Sequence, residues 1–221
     1  MLFRSETVKP KTDTDKRLKY QTNLQNKQQD ILEPLTFQFE NRITRLDSNG
    51  IKLYKDSTFT LVDSLLISLD TTKKILTFNT SWEPGTAYHL VVEKGAAEDS
   101  LGKQWTKTDT LSFTTKRTSD YGKLKVRLRS LDLSQQPVLQ FFQGERLVKS
   151  ARLTGPLFED DLVTPGEYEL RILLDSNGNG KWDTGQFFEK KKQPERVIPL
   201  EKRISVKPNW PNDYEIEAGI R

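Results

Sequence analysis

The chain has 221 residues, length enough for one large or two small domains, with 34% hydrophobic and 30% charged residues and a mean hydropathy of −0.69. No run approaches eighteen consecutive apolar residues, which excludes a membrane-spanning helix; the absence of cysteine excludes disulfides, thiolate metal sites and iron–sulfur clusters. A single histidine, His89, excludes a multi-histidine metal centre, and the net charge of +4 is spread evenly: residues 1–117 hold 18 basic and 15 acidic residues, leaving 17 and 16 for the rest. Both signs interleave along every segment, so no basic face for nucleic acid is expected.

Residues 1–15 have no apolar periodicity and read as a flexible lead-in. Leu2-Phe3 is too short for the apolar core of a secretory signal, so the chain is expected either to stay in the cytoplasm or to lack its natural N-terminus. From Lys16 to Glu33 a short helix competes with a kinked extended strand, and Tyr20, Asn23 and Pro34 favour the strand. Beyond Pro34 apolar residues recur at every second position: Leu35, Phe37 and Phe39; Ile51 and Leu53 after a turn at Asp47 to Gly50; Leu76 and Phe78; Tyr88, Leu90 and Val92; Leu111 and Phe113. Trp82-Glu83-Pro84-Gly85-Thr86 has the composition of a turn, proline setting one dihedral and glycine accepting a positive φ.

The pattern restarts after Thr118-Ser119-Asp120 with Leu124, Val126 and Leu128 inward and Lys125, Arg127 and Arg129 outward. Strands follow at Val138 to Phe142, Leu147 to Leu153 and Tyr168 to Leu174, the last launched by Thr164-Pro165-Gly166. The final strand is expected at Arg203 to Lys207, with Asn209-Trp210-Pro211-Asn212 as a tail. Short strands at intervals of about ten residues, punctuated by Gly, Pro, Asn and Asp, predict an all-β protein of two consecutive β-sandwiches, 16–117 and 118–221.

The sharpest motif is Asp175-Ser176-Asn177-Gly178-Asn179-Gly180-Lys181-Trp182-Asp183. Side-chain oxygens at alternate positions, glycine at the sixth and a carboxylate at the ninth match the first nine positions of a calcium loop. Asp175, Asn177, Asn179 and Asp183 are the candidate side-chain ligands, with the Lys181 carbonyl at the seventh position. Gln186 stands where the bidentate glutamate belongs, so the expected affinity is weak, roughly 10⁻⁴ to 10⁻³ M. The competing reading is an empty hairpin whose Asn and Asp side chains satisfy their own backbone.

Other chemistry-bearing residues read as structural. His89 lies between inward-facing Tyr88 and Leu90 and points outward, with no nucleophile motif beside it. Glu159, Asp160 and Asp161 are assigned to a polar loop rather than an acid–base pair, and Lys190-Lys191-Lys192 to a solvated loop. Gly178 and Gly180 precede no helix and make no nucleotide loop. Trp82, Trp105, Trp182 and Trp210 are assigned to core or rim packing in preference to sugar stacking.

Residues 34–116 carry Pro34 to Phe39, then Trp82-Glu83-Pro84-Gly85-Thr86-Ala87-Tyr88, Asp99-Ser100-Leu101-Gly102 and Leu111 to Thr115. In that order they resemble the bacterial Ig-like domain of the SbsA type. The second half, with Pro165-Gly166-Glu167-Tyr168, the Asp175 to Asp183 loop, Gln193-Pro194-Glu195 and Val206 to Trp210, is similar to transthyretin-like and carboxypeptidase-regulatory-like sandwiches in Ig-like-domain proteins of Bacteroidetes. The resemblance implies an exported, lipid-anchored envelope protein without catalytic activity, located in the periplasm or at the outer-membrane surface. The chain has neither signal peptide nor lipobox cysteine, so export is expected only for a longer polypeptide ending in these domains. The expected function is a monomeric spacer or adhesion module with a protein or glycan partner. The alternative is a carbohydrate- or peptide-binding accessory module that uses Trp182 and the loops near Asp175.

Overall fold

The computed structural model describes residues 15–185 and 193–219. The predicted lead-in, apart from Asp15, lies outside that range, as do Gln186 and the triplet Lys190 to Lys192. The described residues form two compact units, dividing between Lys116 and Arg117. Both are all-β.

The first unit contains β1 (Tyr20–Thr22), β2 (Gln28–Gln29), β3 (Leu35–Phe39), β4 (Ile43–Leu46), β5 (Ile51–Lys55), β6 (Thr60–Leu61), β7 (Leu66–Leu69), β8 (Ile75–Asn79), β9 (Ala87–Val92), β10 (Ala97–Asp99) and β11 (Asp109–Thr115). One sheet runs β1-β3-β8-β7 and the facing sheet β2-β11-β9-β5-β6, with β4 and β10 paired separately. The predicted alternation sets the faces. Leu35, Phe37 and Phe39 on β3 and Leu76 and Phe78 on β8 are buried against Leu53, Tyr88, Leu90, Val92 and Phe113 from the other sheet. The 16–33 segment is extended, and its kink lies at Asn26 and Lys27, both with positive φ.

Short Asp-capped turns join these strands. At the Asp99-x-x-Gly102 turn, the Asp99 carboxylate accepts from the backbone N–H of Leu101 and Lys103, each at 2.9 Å, and Gly102 supplies φ 74°. Burial alone raises the Asp99 carboxyl pKa; donation from Asn41 and these amides outweighs it and leaves the group below its usual range. In the β7–β8 turn, the hydroxyl and N–H of Thr72 and the N–H groups of Ile75 and Lys74 hold Asp70 down to about 2.

The second unit contains β12 (Gly122–Arg129), β13 (Pro137–Gln143), β14 (Arg146–Arg152), β15 (Leu157–Val163), β16 (Gly166–Leu174), β17 (Val197–Pro199), β18 (Ile204–Val206) and β19 (Pro211–Glu217). One sheet is β15-β12-β19; the other is β14-β13-β16-β17, with β18 pairing the start of β16. Leu124, Val126 and Leu128 face Leu139, Phe141, Tyr168, Leu170 and Ile172 across the core. The Tyr168 hydroxyl donates to the Thr164 carbonyl at 2.6 Å and ties the Pro165-Gly166 turn to the strand it launches.

Two expectations are corrected here. Glu159, Asp160 and Asp161 lie in the edge strand β15, not in a loop: Glu159 pairs across the sheet with Lys125, and lysine partners offset the low strand propensity of carboxylates. The chain does not end its sheets near Lys207, because residues 211–217 form β19, parallel to β12. Asn212 makes this return. Its amide donates to the carbonyls of Lys123, Lys207 and Trp210, and its oxygen accepts from the Lys207 N–H at 3.0 Å.

Gly122 is where the β12 backbone passes closest to this corner. A Cβ there would overlap Val206 Cγ1 and sit 2.6 Å from the Lys207 carbonyl oxygen. Gly122→Ala is therefore expected to destabilise the second unit by about 1–3 kcal/mol in urea unfolding. Gly155→Ala, whose added Cβ meets nothing within 4 Å, is expected to stay within about 0.5 kcal/mol of wild type.

Candidate functional site

The predicted calcium loop follows the C-terminal end of β16 and is closed by a residue from outside the motif. Asp175 is fully buried. Its Oδ1 accepts from the N–H of Gly178 at 2.8 Å and Asn179 at 3.2 Å, and its Oδ2 from the N–H of Gly180 at 2.7 Å. Gly178 and Gly180 take φ of 72° and 75°, the conformations that aim successive amides at one carboxylate. The Oδ1 atoms of Asn177 and Asn179 accept from the backbone two residues on, at 3.0 and 2.7 Å. Their amide nitrogens both donate to Asp183 Oδ2, that of Asn179 at 2.8 Å. Arg152 lies beside the loop, 3.6 Å from Asp175 Oδ2, and donates to the Gly178 carbonyl.

Glu195 completes the arrangement. Only 7% exposed, it accepts from the Ser176 N–H and hydroxyl on Oε1, both at 2.9 Å, and from the Asp183 N–H on Oε2 at 3.1 Å. Its carbonyl accepts from the Trp182 indole N–H at 2.8 Å. The motif therefore depends on a carboxylate twelve positions beyond its last residue. The sequence signal was Gln193-Pro194-Glu195, which marks a turn but does not say which loop it meets.

The donor set contains the oxygen types a hard cation needs, at the spacing of a calcium loop. In the geometry shown, the loop satisfies itself: the carboxylates accept backbone and amide N–H groups, and a guanidinium supplies the positive charge nearest Asp175. Turning the Asn177 and Asn179 amides to present Oδ1 in place of Nδ2 beside Asp183 would give up the hydrogen bonds that these oxygens accept from the Asn179 and Lys181 N–H groups. Among the described residues, no three His, Cys, Asp or Glu side chains are grouped to hold a metal ion.

The remaining candidates are tied into the fold. His89 points outward, shares a 2.9 Å hydrogen bond with its cross-strand neighbour Ser112, and lies under the ring of Phe59, centroids 4.5 Å apart. Glu159 pairs with Lys125 at 2.6 Å, Asp161 with Lys123 at 3.6 Å and Asp160 with Lys149. Glu159 and Asp161 border an open hollow of about 310 Å³, each already matched by a lysine. Trp82 and Trp105 are core residues, whereas Trp182 and Trp210 are 50% and 62% exposed, so packing accounts for only two of the four tryptophans.

No family model and no curated protein matches the chain. Solved structures with similar folds include domains of native alpha-2-macroglobulin from Escherichia coli, at 13% identity and TM-score 0.35, covering 78% of this chain and 72% of that one. The N-terminal part of the bacterial S-layer protein SbsC matches at 12% identity and TM-score 0.35, covering 78% of this chain and 43% of that one. The fibronectin(III)-like modules of Clostridium thermocellum CbhA match at 11% identity and TM-score 0.24, covering 92% and 96%. At these values no residue correspondence follows, and the functional reading rests on the chain's own geometry.

Removing the closing carboxylate tests the architecture of the loop. Glu195→Ala removes the acceptor of three part-buried hydrogen bonds and is expected to cost about 1–3 kcal/mol in urea unfolding. Hydrogen exchange should accelerate at the Ser176 and Asp183 amides and remain slow at Val126. Glu195→Gln, with one oxygen instead of two, should recover only part of the loss.

Proposed function

We propose that the chain is a non-catalytic structural module of a bacterial cell-envelope protein: two sandwiches, one Ig-like and one transthyretin-like, that act as a spacer or as a presenting element for adhesion. The observation that carries this reading is the employment of the chemistry-bearing side chains. His89, Glu159, Asp160, Asp161, Asp175, Asp183 and Glu195 are each engaged in a contact that holds a strand or a loop. Each unit also has its own closed apolar core. The compartment that fits this reading is the periplasm or the cell surface, with a protein or glycan partner.

Single-molecule pulling on the chain between two handle domains tests the spacer reading. Two unfolding events are expected, each releasing roughly 100 residues, or about 33–36 nm of contour length. One event spanning the whole chain would overturn the two-module reading.

The proposal includes a weak structural calcium held by side-chain oxygens of Asp175, Asn177, Asn179 and Asp183 and the carbonyl of Lys181. The spacing of these groups and the left-handed turn at Gly180 support it; the proximity of Arg152 accounts for weak affinity. With a dissociation constant in the expected range, about 5 mM calcium stabilises the fold by about 1–2 kcal/mol relative to excess EDTA. The melting temperature of the second unit should rise accordingly in the wild type and not in Asp183→Asn. Equal melting curves in calcium and EDTA would reduce the loop to a self-satisfied hairpin.

A further inference from the structure

The outward face of the β1-β3-β8-β7 sheet carries no formal charge. Its side chains form cross-strand rows: Thr36, Thr77 and Ser68 in one, Gln21, Gln38 and Ile75 in the next, and Asn79 beside Leu66 at the end. None is charged, in a chain that is 30% charged. Charge begins beyond the strand ends, at Lys19 and Glu40. By contrast, the outward face of β15-β12-β19 is a ladder of ions, with Lys123, Lys125 and Arg129 on the central strand paired to Asp161, Glu159 and Glu215.

The hydrogen-bonding groups of this neutral face are unspent. The side chains of Gln21, Thr36, Gln38, Ser68, Thr77 and Asn79 make no hydrogen bond to another described residue. On the opposite sheet of the same unit, His89 bonds Ser112, Lys52 pairs with Glu93 and Lys55 with Glu83. Leu66, 68% exposed, and Ile75, 37% exposed, place apolar surface among the neutral hydroxyls and amides. The edge strand β7 carries no charge either, although charged residues are the usual guard of a free edge. At the β1 side the Gln21–Gln38 row borders an open hollow of about 500 Å³, flanked by Lys19 and Glu40.

We infer that this face binds a neutral polysaccharide. Aligned hydroxyls and primary amides offer donors and acceptors matched to sugar hydroxyls, and the interspersed aliphatic groups match sugar C–H surfaces. A neutral ligand leaves no buried charge uncompensated on a face that has none to pair with it. Four strands about 4.8 Å apart span about 14 Å between the outer two, enough for a short run of consecutive sugars laid across the strands. This inference does not rest on the spacer reading, and either can fail without the other.

Affinity electrophoresis of the full chain in native gels containing a soluble β-1,3-glucan, xylan or galactomannan tests it. Retardation by at least one of these neutral polymers is expected. Thr77→Lys and Gln38→Glu, each placing a charge on the face, should raise the polymer concentration for half-retardation by about tenfold or more, with melting temperatures near that of wild type. Lys52→Glu, on the opposite sheet, should leave retardation unchanged. No retardation by any of the three polymers, or retardation insensitive to both face variants, would overturn the assignment. So would a concentration-dependent dimer in light scattering that Thr77→Lys dissolves, since the face would then belong to a second copy.

Discussion

Burial of every second side chain along short strands is the constraint on which the rest of this molecule depends. With only 34% hydrophobic residues, most strands commit one face to a core, and burial on both faces is confined to the centre of the second unit, at Pro137–Phe141 of β13 and Ile172–Leu173 of β16. Leu124, Val126 and Leu128 on β12 and Tyr168, Leu170 and Ile172 on β16 are buried almost completely, while the residues between them face outward. The first unit follows the same rule with a more aromatic core, in which Tyr20, Phe37, Phe39 and Trp105 pack ring against ring. Because a one-residue slip would turn each apolar set toward water, the alternation fixes register as well as location.

Outward faces are then free to differ, and they do. On β15-β12-β19 opposite charges sit across from one another, an arrangement that discourages wrong pairings more than it adds stability, since exposed pairs contribute little. On β1-β3-β8-β7 the outward positions are neutral and polar. A sandwich core is compatible with either surface, so function in this chain is to be sought on faces and loop tips rather than in the fold itself.

The loops are governed by carboxylates that cap backbone amides. Asp70, Asp99 and Asp175 each collect two or more N–H donors in a tight turn, and Glu195 does the same from a distance. This common use of Asp and Glu explains why an acidic-looking sequence motif need not mark a reacting group. At Asp70 and Asp99, Thr72 and Asn41 together with these N–H donors hold the carboxyl below its usual range.

The sequence by itself determined the local order: which segments are strands with period-two burial, where the turns at Pro84-Gly85, Asp99 to Gly102 and Pro165-Gly166 lie, and that His89 points away from the core. Those features follow from alternation and turn chemistry, which act over a few residues. Only the tertiary structure decided the rest. The strand at Pro211–Glu217 is legible only through its partner β12, since its residues are mostly polar and gain strand geometry from pairing. The acidic segment Leu157–Val163 became a strand because lysines on β12 and β14 stand opposite it. Glu195 acquired its role by closing a loop that ends twelve residues earlier, and the neutral face exists only because β3 pairs with the distant β7–β8 hairpin, aligning Thr36, Thr77 and Ser68 in one row. Contacts across such separations depend on register and sheet order, which no local window of sequence contains.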